Sequence, residues 1–169
     1  MSNFNESFYN LGRFHQKQLL KIEADRCRRN MNQEDYIKTI LEEFDITIIN
    51  SNKKQNHKDD GIDFIMMYNN QIYICQVKYW KKPLCKKEIK EIYGAMYLSE
   101  FAIRCRNDKK VLKYLLICPF ISMRCNELEE MYSKENYYLV ANAKFIDLLT
   151  NPQYFMENNL YERNVIYNV

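Results

Sequence analysis

The chain has 169 residues, of which 47% are hydrophobic and 28% are charged, and its formal net charge is +3. This length suits one domain with one hydrophobic core. There is no run of about 18 apolar residues, which excludes a transmembrane helix, so we expect no association with a membrane. The chain has only two histidines, His15 and His57, which excludes a metal site built from several histidines.

The six cysteines contain no CxxC pair, which argues against a zinc ribbon or a redox motif. Several of them lie in apolar runs and are typical of small core residues. The first residues, MSNFNESFYNLGRFHQ, lack the basic segment followed by an apolar one that a secretory signal requires. We therefore expect an intracellular protein in a reducing compartment, either cytoplasm or nucleus, and not a secreted one.

The first third of the chain predicts helices and a strand. Residues 1–30 are polar and aromatic, with helical stretches such as QKQLLKIEADRCRR, and are interpreted as an N-terminal helical extension. The segment MNQEDYIKTILEEF has apolar residues three and four apart, which predicts an amphipathic helix with Asn32 as its N-cap. DITIINS follows as a short β-branched strand, and a polar loop then ends at Gly61.

The middle of the chain predicts a β-hairpin and a helix. The runs IDFIMMY and IYICQVKYW are separated by NNQ, and asparagine tolerates the positive φ of a tight turn. A lysine-rich segment leads into KEIKEIYGAMYLSEFAIRC, whose apolar spacing predicts one helix. Within it, Gly94 and Ala95 are expected to permit close packing onto the sheet.

The last third continues the alternation of strands and helices. KVLKYLLICPF predicts a strand, SMRCNELEEMYSKE a helix, NYYLVA a strand, and NAKFIDLLTNP a short helix capped at Asn142. The order of elements predicts an α/β fold with a mixed central sheet flanked by helices. We place the core domain at residues 31–150 and a C-terminal aromatic tail at residues 151–169, which packs on the domain or on a partner.

Three polar side chains lie in the predicted hairpin. Gln76 and Lys78 are two residues apart, so they project from the same face of one strand. Asp63 begins the neighbouring antiparallel strand, and a tight turn brings it near the end that carries the other two. The apolar residues around Gln76 and Lys78 favour a buried strand, in which an unpaired lysine is rare. We therefore expect the three side chains to converge; the alternative is the solvated side of an edge strand.

These groups fit metal-assisted hydrolysis of a phosphodiester. Mg²⁺ prefers oxygen ligands, which the Asp63 carboxylate, the Gln76 amide and the Val77 backbone carbonyl can supply. The ion polarises the phosphate and lowers the pKa of a bound water, while Lys78 orients that water and stabilises the developing charge. A second carboxylate is expected from Glu34, near the start of the preceding helix. Other acidic candidates remain open: Asp35, Glu42 and Glu43 on that helix, and Asp60 in the loop.

The residues DGID, followed after a turn by QVK, resemble the PD-(D/E)XK nuclease superfamily, and within it the Mrr-like branch of restriction endonucleases with its D…QxK motif. The resemblance covers roughly residues 31–150, where a helix with a glutamate precedes the hairpin and a helix and an apolar strand follow it. It implies a restriction-endonuclease-like αβββαβ core and cleavage of DNA that depends on Mg²⁺, or on Mn²⁺ in its place. By motif position, it gives catalytic roles to Asp63, Gln76 and Lys78 and a supporting role to Glu34.

Aromatic and basic residues directly after the hairpin predict contacts with nucleic acid, because rings stack on bases and lysines attract phosphates. These residues are Tyr79, Trp80, Lys81, Lys82, Lys86 and Lys87. Packing of the two rings within the protein explains them equally well, and blocks of lysine are often ordinary solvated faces.

Two functional alternatives stay open. Because Gln76 is a neutral residue where nucleases usually have an acid, a catalytically inactive nuclease-like domain that binds nucleic acid or a partner protein remains an alternative, as does RNA as the substrate. Cutting both strands of a duplex usually needs two active sites, which favours a homodimer. The aromatic tail either forms the dimer interface or packs on its own domain.

Overall fold

A five-stranded mixed sheet forms the centre of the computed structural model, which describes residues 8–9, 11–50, 61–78, 84–119 and 136–161. Neighbouring strands pair in chain order: the first three are antiparallel to one another, and the last three are parallel. The strands are β1 (Thr47–Asn50), β2 (Phe64–Tyr68), β3 (Gln71–Val77), β4 (Leu112–Ile117) and β5 (Tyr137–Val140). The predicted α/β architecture and the hairpin within it are therefore confirmed.

Helices cover both faces of this sheet and bury two separate apolar clusters. Those in the described residues are α1 (Arg13–Arg28), α2 (Gln33–Glu43), α3 (Lys86–Tyr97), α4 (Glu100–Asn107), α5 (Ala143–Thr150) and α6 (Pro152–Phe155), the last leading into a π-helical segment, Met156–Tyr161. The helices α1, α2, α5 and α6 pack on one face, and α3 and α4 pack on the other. In the described part of the chain, each helix is too short or too polar to cross a membrane.

Local signals set the boundaries of α2 and of the hairpin as predicted. The Asn32 side chain accepts a hydrogen bond from the Asp35 N–H at 2.8 Å and so caps α2. Between β2 and β3, Asn69 and Asn70 have φ angles of 49° and 62°, the left-handed conformation that a two-residue hairpin turn requires. The turn fixes the register in which Phe64 pairs with Cys75.

The single helix predicted after the hairpin is wrong, because two helices, α3 and α4, occupy this stretch. The Ser99 hydroxyl donates to the Met96 carbonyl at 2.7 Å and accepts from the Ala102 N–H at 3.2 Å. It thereby ends one helix and caps the next. A buried hydroxyl that bonds the nearby backbone in this way offers an alternative to the helical ladder, which apolar spacing does not detect.

Two predictions about the C-terminal half have different outcomes. Asn142 precedes α5 with φ 55°, but its side chain makes no capping hydrogen bond there, so the predicted cap is wrong. The helix predicted for residues 122–135 lies outside the described residues.

The described parts of the N-terminal extension and of the tail pack against the same core. Leu19 of α1 joins the cluster beneath α2 and α5, and His15 Nε2 lies 2.9 Å from Asp147 Oδ1 of α5. At the other end of the chain, Met156 is fully buried, and the Tyr68 hydroxyl donates to Glu157 at 2.7 Å. Both ends therefore add apolar area to the domain itself.

Candidate active site

The candidate site lies where β2 begins and β3 ends. The register pairs Phe64 with Cys75 and Val77 with Ile117, which places Asp63 beside the last residues of β3. The parallel strands β3, β4 and β5 all end at this edge of the sheet. The carboxyl edge of parallel strands is where open α/β sheets commonly bind ligands.

Backbone hydrogen bonds hold Asp63 in place. Its own N–H donates to the Cys75 carbonyl at 2.9 Å, and the Val77 N–H donates to its Oδ2 at 2.6 Å. The carboxylate thus replaces a main-chain acceptor where the antiparallel ladder ends. A charge-assisted bond of this length fixes the carboxylate next to the strand that carries the other two predicted residues.

Gln76 is the unusual polar group of β3. Its side chain is only 5% exposed, and within the described residues its Oε1 atom is buried without a hydrogen-bond partner. Because strand side chains alternate, Gln76 shares a face with Ile74, which packs beneath α3 and α4. A buried acceptor without a partner costs stability, so this oxygen is suited to receive a ligand.

Lys78 follows directly after β3 and extends its pairing by one residue. Its N–H donates to the Ile117 carbonyl at 2.9 Å, so the alternation of side chains continues through this position. Lys78 therefore lies on the same face as Gln76, and its side chain is half-buried. A cation, an amide oxygen and the Asp63 carboxylate are thus gathered at one end of the hairpin.

The thiol of Cys75 lies next to this group but stays neutral. Complete burial, and then the negative charge of Asp63, raise the pKa of the Cys75 thiol well above its usual value. A thiolate is the form that ligates metals and attacks electrophiles. Cys75 therefore contributes packing to the site, and the chemistry falls to the oxygen and nitrogen groups around it.

Glu34 lies in the first turn of α2, which packs on the opposite face of the sheet from Gln76 and Lys78. Its carboxylate is 3.3 Å from Lys38 Nζ. Asp35 is 3.6 Å from the same ammonium, and Glu43 at the far end of α2 pairs with Arg29. A supporting role for Glu34 stays a prediction. The alternative Asp60 lies outside the described residues, as does His57.

The predicted nucleic-acid contacts divide into two groups. Tyr79, Trp80, Lys81 and Lys82 lie outside the described residues. Lys86 and Lys87 form the start of α3 and are both exposed. A helix N-terminus favours anions over cations, so packing within the helix does not explain two lysines there. Their contact with nucleic acid stays a prediction.

Gly61 is a residue whose importance the sequence did not reveal. Its φ angle is +82°, and a Cβ at this position would lie 2.8 Å from Ala95 Cβ and 3.1 Å from the Ala95 carbonyl carbon. The chain two residues before Asp63 is thereby pressed against α3. The expected close packing at Gly94 is wrong, since a Cβ there would meet nothing within 4 Å, whereas Ala95 does make a close contact.

We expect Gly61→Ala to destabilise the protein by about 2 kcal/mol, because the left-handed backbone and the contact with Ala95 both oppose a Cβ. Cleavage activity should fall as well, because Asp63 lies two residues further along the strained segment. Chemical denaturation measures the first effect. The matched control is Gly94→Ala, which should raise stability by about 0.5–1 kcal/mol, since alanine favours a helix. Equal effects of the two substitutions would contradict the role assigned to Gly61.

An antiparallel hairpin followed by parallel strands, with an aspartate, a glutamine and a lysine at the carboxyl edge, defines a restriction-endonuclease-like nuclease fold. Residues 30–105 match the family model Mrr_cat, which is described as a restriction endonuclease. Over this segment, which spans α2, the hairpin and α3, the chain carries an Mrr-like restriction endonuclease domain. Comparison with curated proteins and with solved structures found no match.

Proposed function

We propose that this protein is a metal-dependent endonuclease that hydrolyses phosphodiester bonds of DNA. The family match supports a nuclease, and one geometric observation carries the finer statement. The Asp63 carboxylate is held 2.6 Å from the Val77 amide nitrogen, at the end of the strand where the Gln76 oxygen is buried without a partner among the described residues. A carboxylate and an uncompensated amide oxygen at one edge of a sheet suit a hard cation.

The donor set fits Mg²⁺ or Mn²⁺. Asp63 and Gln76 would hold the ion through side-chain oxygens and Val77 through its carbonyl. In an extended strand, the N–H and C=O of one residue point toward the same neighbour. The Val77 N–H bonds Asp63, so its carbonyl is directed to that side as well. When bound, the ion would polarise the phosphate and supply an acidified water.

The affinity for metal should be modest. In the described residues, no group of three or more His, Cys, Asp or Glu side chains lies together. The site therefore offers one full negative charge from Asp63, and the neutral Gln76 contributes only a dipole. We expect metal binding to strengthen when substrate phosphate is present, because its negative charge completes the set of oxygens.

Lys78 would do most of the work on the reacting phosphate. Its ammonium group donates hydrogen bonds that can orient the attacking water, and its charge offsets the negative charge that grows on the phosphate oxygens. The exposed Lys86 and Lys87 would bind the phosphate backbone away from the cleaved bond. Such contacts are independent of sequence and weaken as the salt concentration rises.

A cleavage assay tests this proposal. Purified protein is incubated with supercoiled plasmid, linear duplex, branched DNA and single-stranded RNA, each with Mg²⁺, with Mn²⁺ and with EDTA. We expect cleavage of DNA with either metal and none with EDTA. A salt-sensitive gel shift without cleavage of any substrate would instead indicate the inactive, nucleic-acid-binding domain. Cleavage of RNA alone would contradict DNA as the substrate.

A further inference from the structure

Gln33, the first residue of α2, is a second buried amide that the fold does not account for. Its side chain is only 6% exposed, and in the described part of the chain both its Nε2 and its Oε1 lack a hydrogen-bond partner. The neighbouring polar side chains are engaged, because Asn32 caps the helix and Glu34 pairs with Lys38. Gln33 has neither a structural partner nor access to bulk water.

Such a group needs an explanation. A buried donor and a buried acceptor that both lack partners destabilise the folded state, and a long apolar side chain would fill the same space without that cost. The penalty disappears if a ligand supplies both partners. An amide is suited to a ligand that carries an acceptor oxygen and brings bound water with it.

The topology places Gln33 toward the nuclease site. It precedes Tyr36 and Ile37 by three and four residues, so it continues the buried stripe of α2 that packs on the sheet. Only residues 44–46 join α2 to β1, so the helix runs back along the sheet toward the end of β1. That strand ends at Asn50, which pairs with Phe64, the residue directly after Asp63.

We infer that Gln33 is a further substrate-positioning residue, whose amide hydrogen-bonds a phosphate group of bound DNA at the edge of the sheet that holds Asp63. This inference rests on the proposed function. The Nε2 group donates to a non-bridging phosphate oxygen, and Oε1 accepts from a water on that phosphate. A neutral amide suits this place, because phosphate binds a donor without the repulsion that Glu34 or Asp35 would exert.

The test compares Gln33→Met with Gln18→Met in the full chain. Methionine matches glutamine in length and removes the polar atoms. Gln18 lies on α1, half-buried and away from the hairpin, and so controls for the substitution itself. Tm is measured without DNA. The Kd for a labelled duplex is measured by fluorescence anisotropy with Mg²⁺, with Lys78→Met present in all proteins to prevent turnover.

We expect Gln33→Met to raise Tm by about 3 °C or more and to weaken DNA binding about tenfold, because the free protein loses an unpartnered amide and the complex loses a hydrogen bond to a charged group. Gln18→Met should change neither quantity appreciably. A lower Tm would show that the amide has a structural partner, and an unchanged Kd would show that it does not touch the substrate; either result overturns the inference. If the wild type cleaves DNA in the same series, the proposed function survives that failure, whereas a wild type that neither cleaves nor binds DNA removes both.

Discussion

Replacing Asp63 with asparagine should lower the rate of DNA cleavage about 10³-fold and leave the fold intact. The asparagine amide oxygen can still accept the Val77 N–H that Asp63 accepts at 2.6 Å, so the end of the hairpin keeps its geometry. What disappears is the only full negative charge that the proposed donor set contributes. Steady-state kinetics with Mg²⁺ and a thermal unfolding curve measure the two effects on the same preparation.

Two companion variants separate charge from structure. Asp63→Ala removes the acceptor as well as the charge and leaves the Val77 N–H without its partner, so it should also cost about 1–3 kcal/mol of stability. Asp108→Asn, at the C-cap of α4, removes a carboxylate elsewhere and should leave cleavage unchanged. If Asp63→Asn retained cleavage within tenfold of the wild type, its carboxylate would not be the main metal ligand.

The convergence of Asp63 with the end of β3 was predictable because each determinant is local. Two apolar runs and an Asn69–Asn70 turn specify the hairpin, and a tight turn fixes its register. Once the register is fixed, the period of two along a strand decides that Gln76 and Lys78 share a face. The cap at Asn32 was predictable for the same reason, since its partner is three residues away.

Features that depend on distant parts of the chain were not predictable. The contact of Gly61 with Ala95 joins a loop to a helix that begins well after it, and no local pattern encodes that approach. The break at Ser99 depends on a choice between continuing a helix and capping a new one, which are close in free energy. In the same way, the stripe of α2 indicates that Gln33 is on the buried side but not that its amide lacks a partner.

The burial of Gln76 shows where a local rule conflicts with function. Apolar neighbours predict a buried strand, and in such a strand a glutamine that leaves its oxygen without a partner in the described residues is a poor choice for stability. Such conflicts are expected at functional sites, where stability is given up for a group that a ligand completes. Gln33 presents the same conflict on the helix that packs over the other face.

Replacing Lys78 with methionine should lower cleavage about 10²–10³-fold, because a cation that stabilises charge on the phosphate in the transition state is lost. Methionine keeps much of the apolar stem, and the backbone bond from residue 78 to the Ile117 carbonyl does not depend on the side chain, so the fold should persist. Single-turnover kinetics at saturating DNA measure the chemical step. A metal titration run alongside should show unchanged or tighter Mg²⁺ binding, since the ammonium group repels the ion. Lys110→Met, an exposed lysine just before β4, controls for loss of charge. Equal rates for the Lys78 variant and the wild type would assign the orientation of the attacking water to another group.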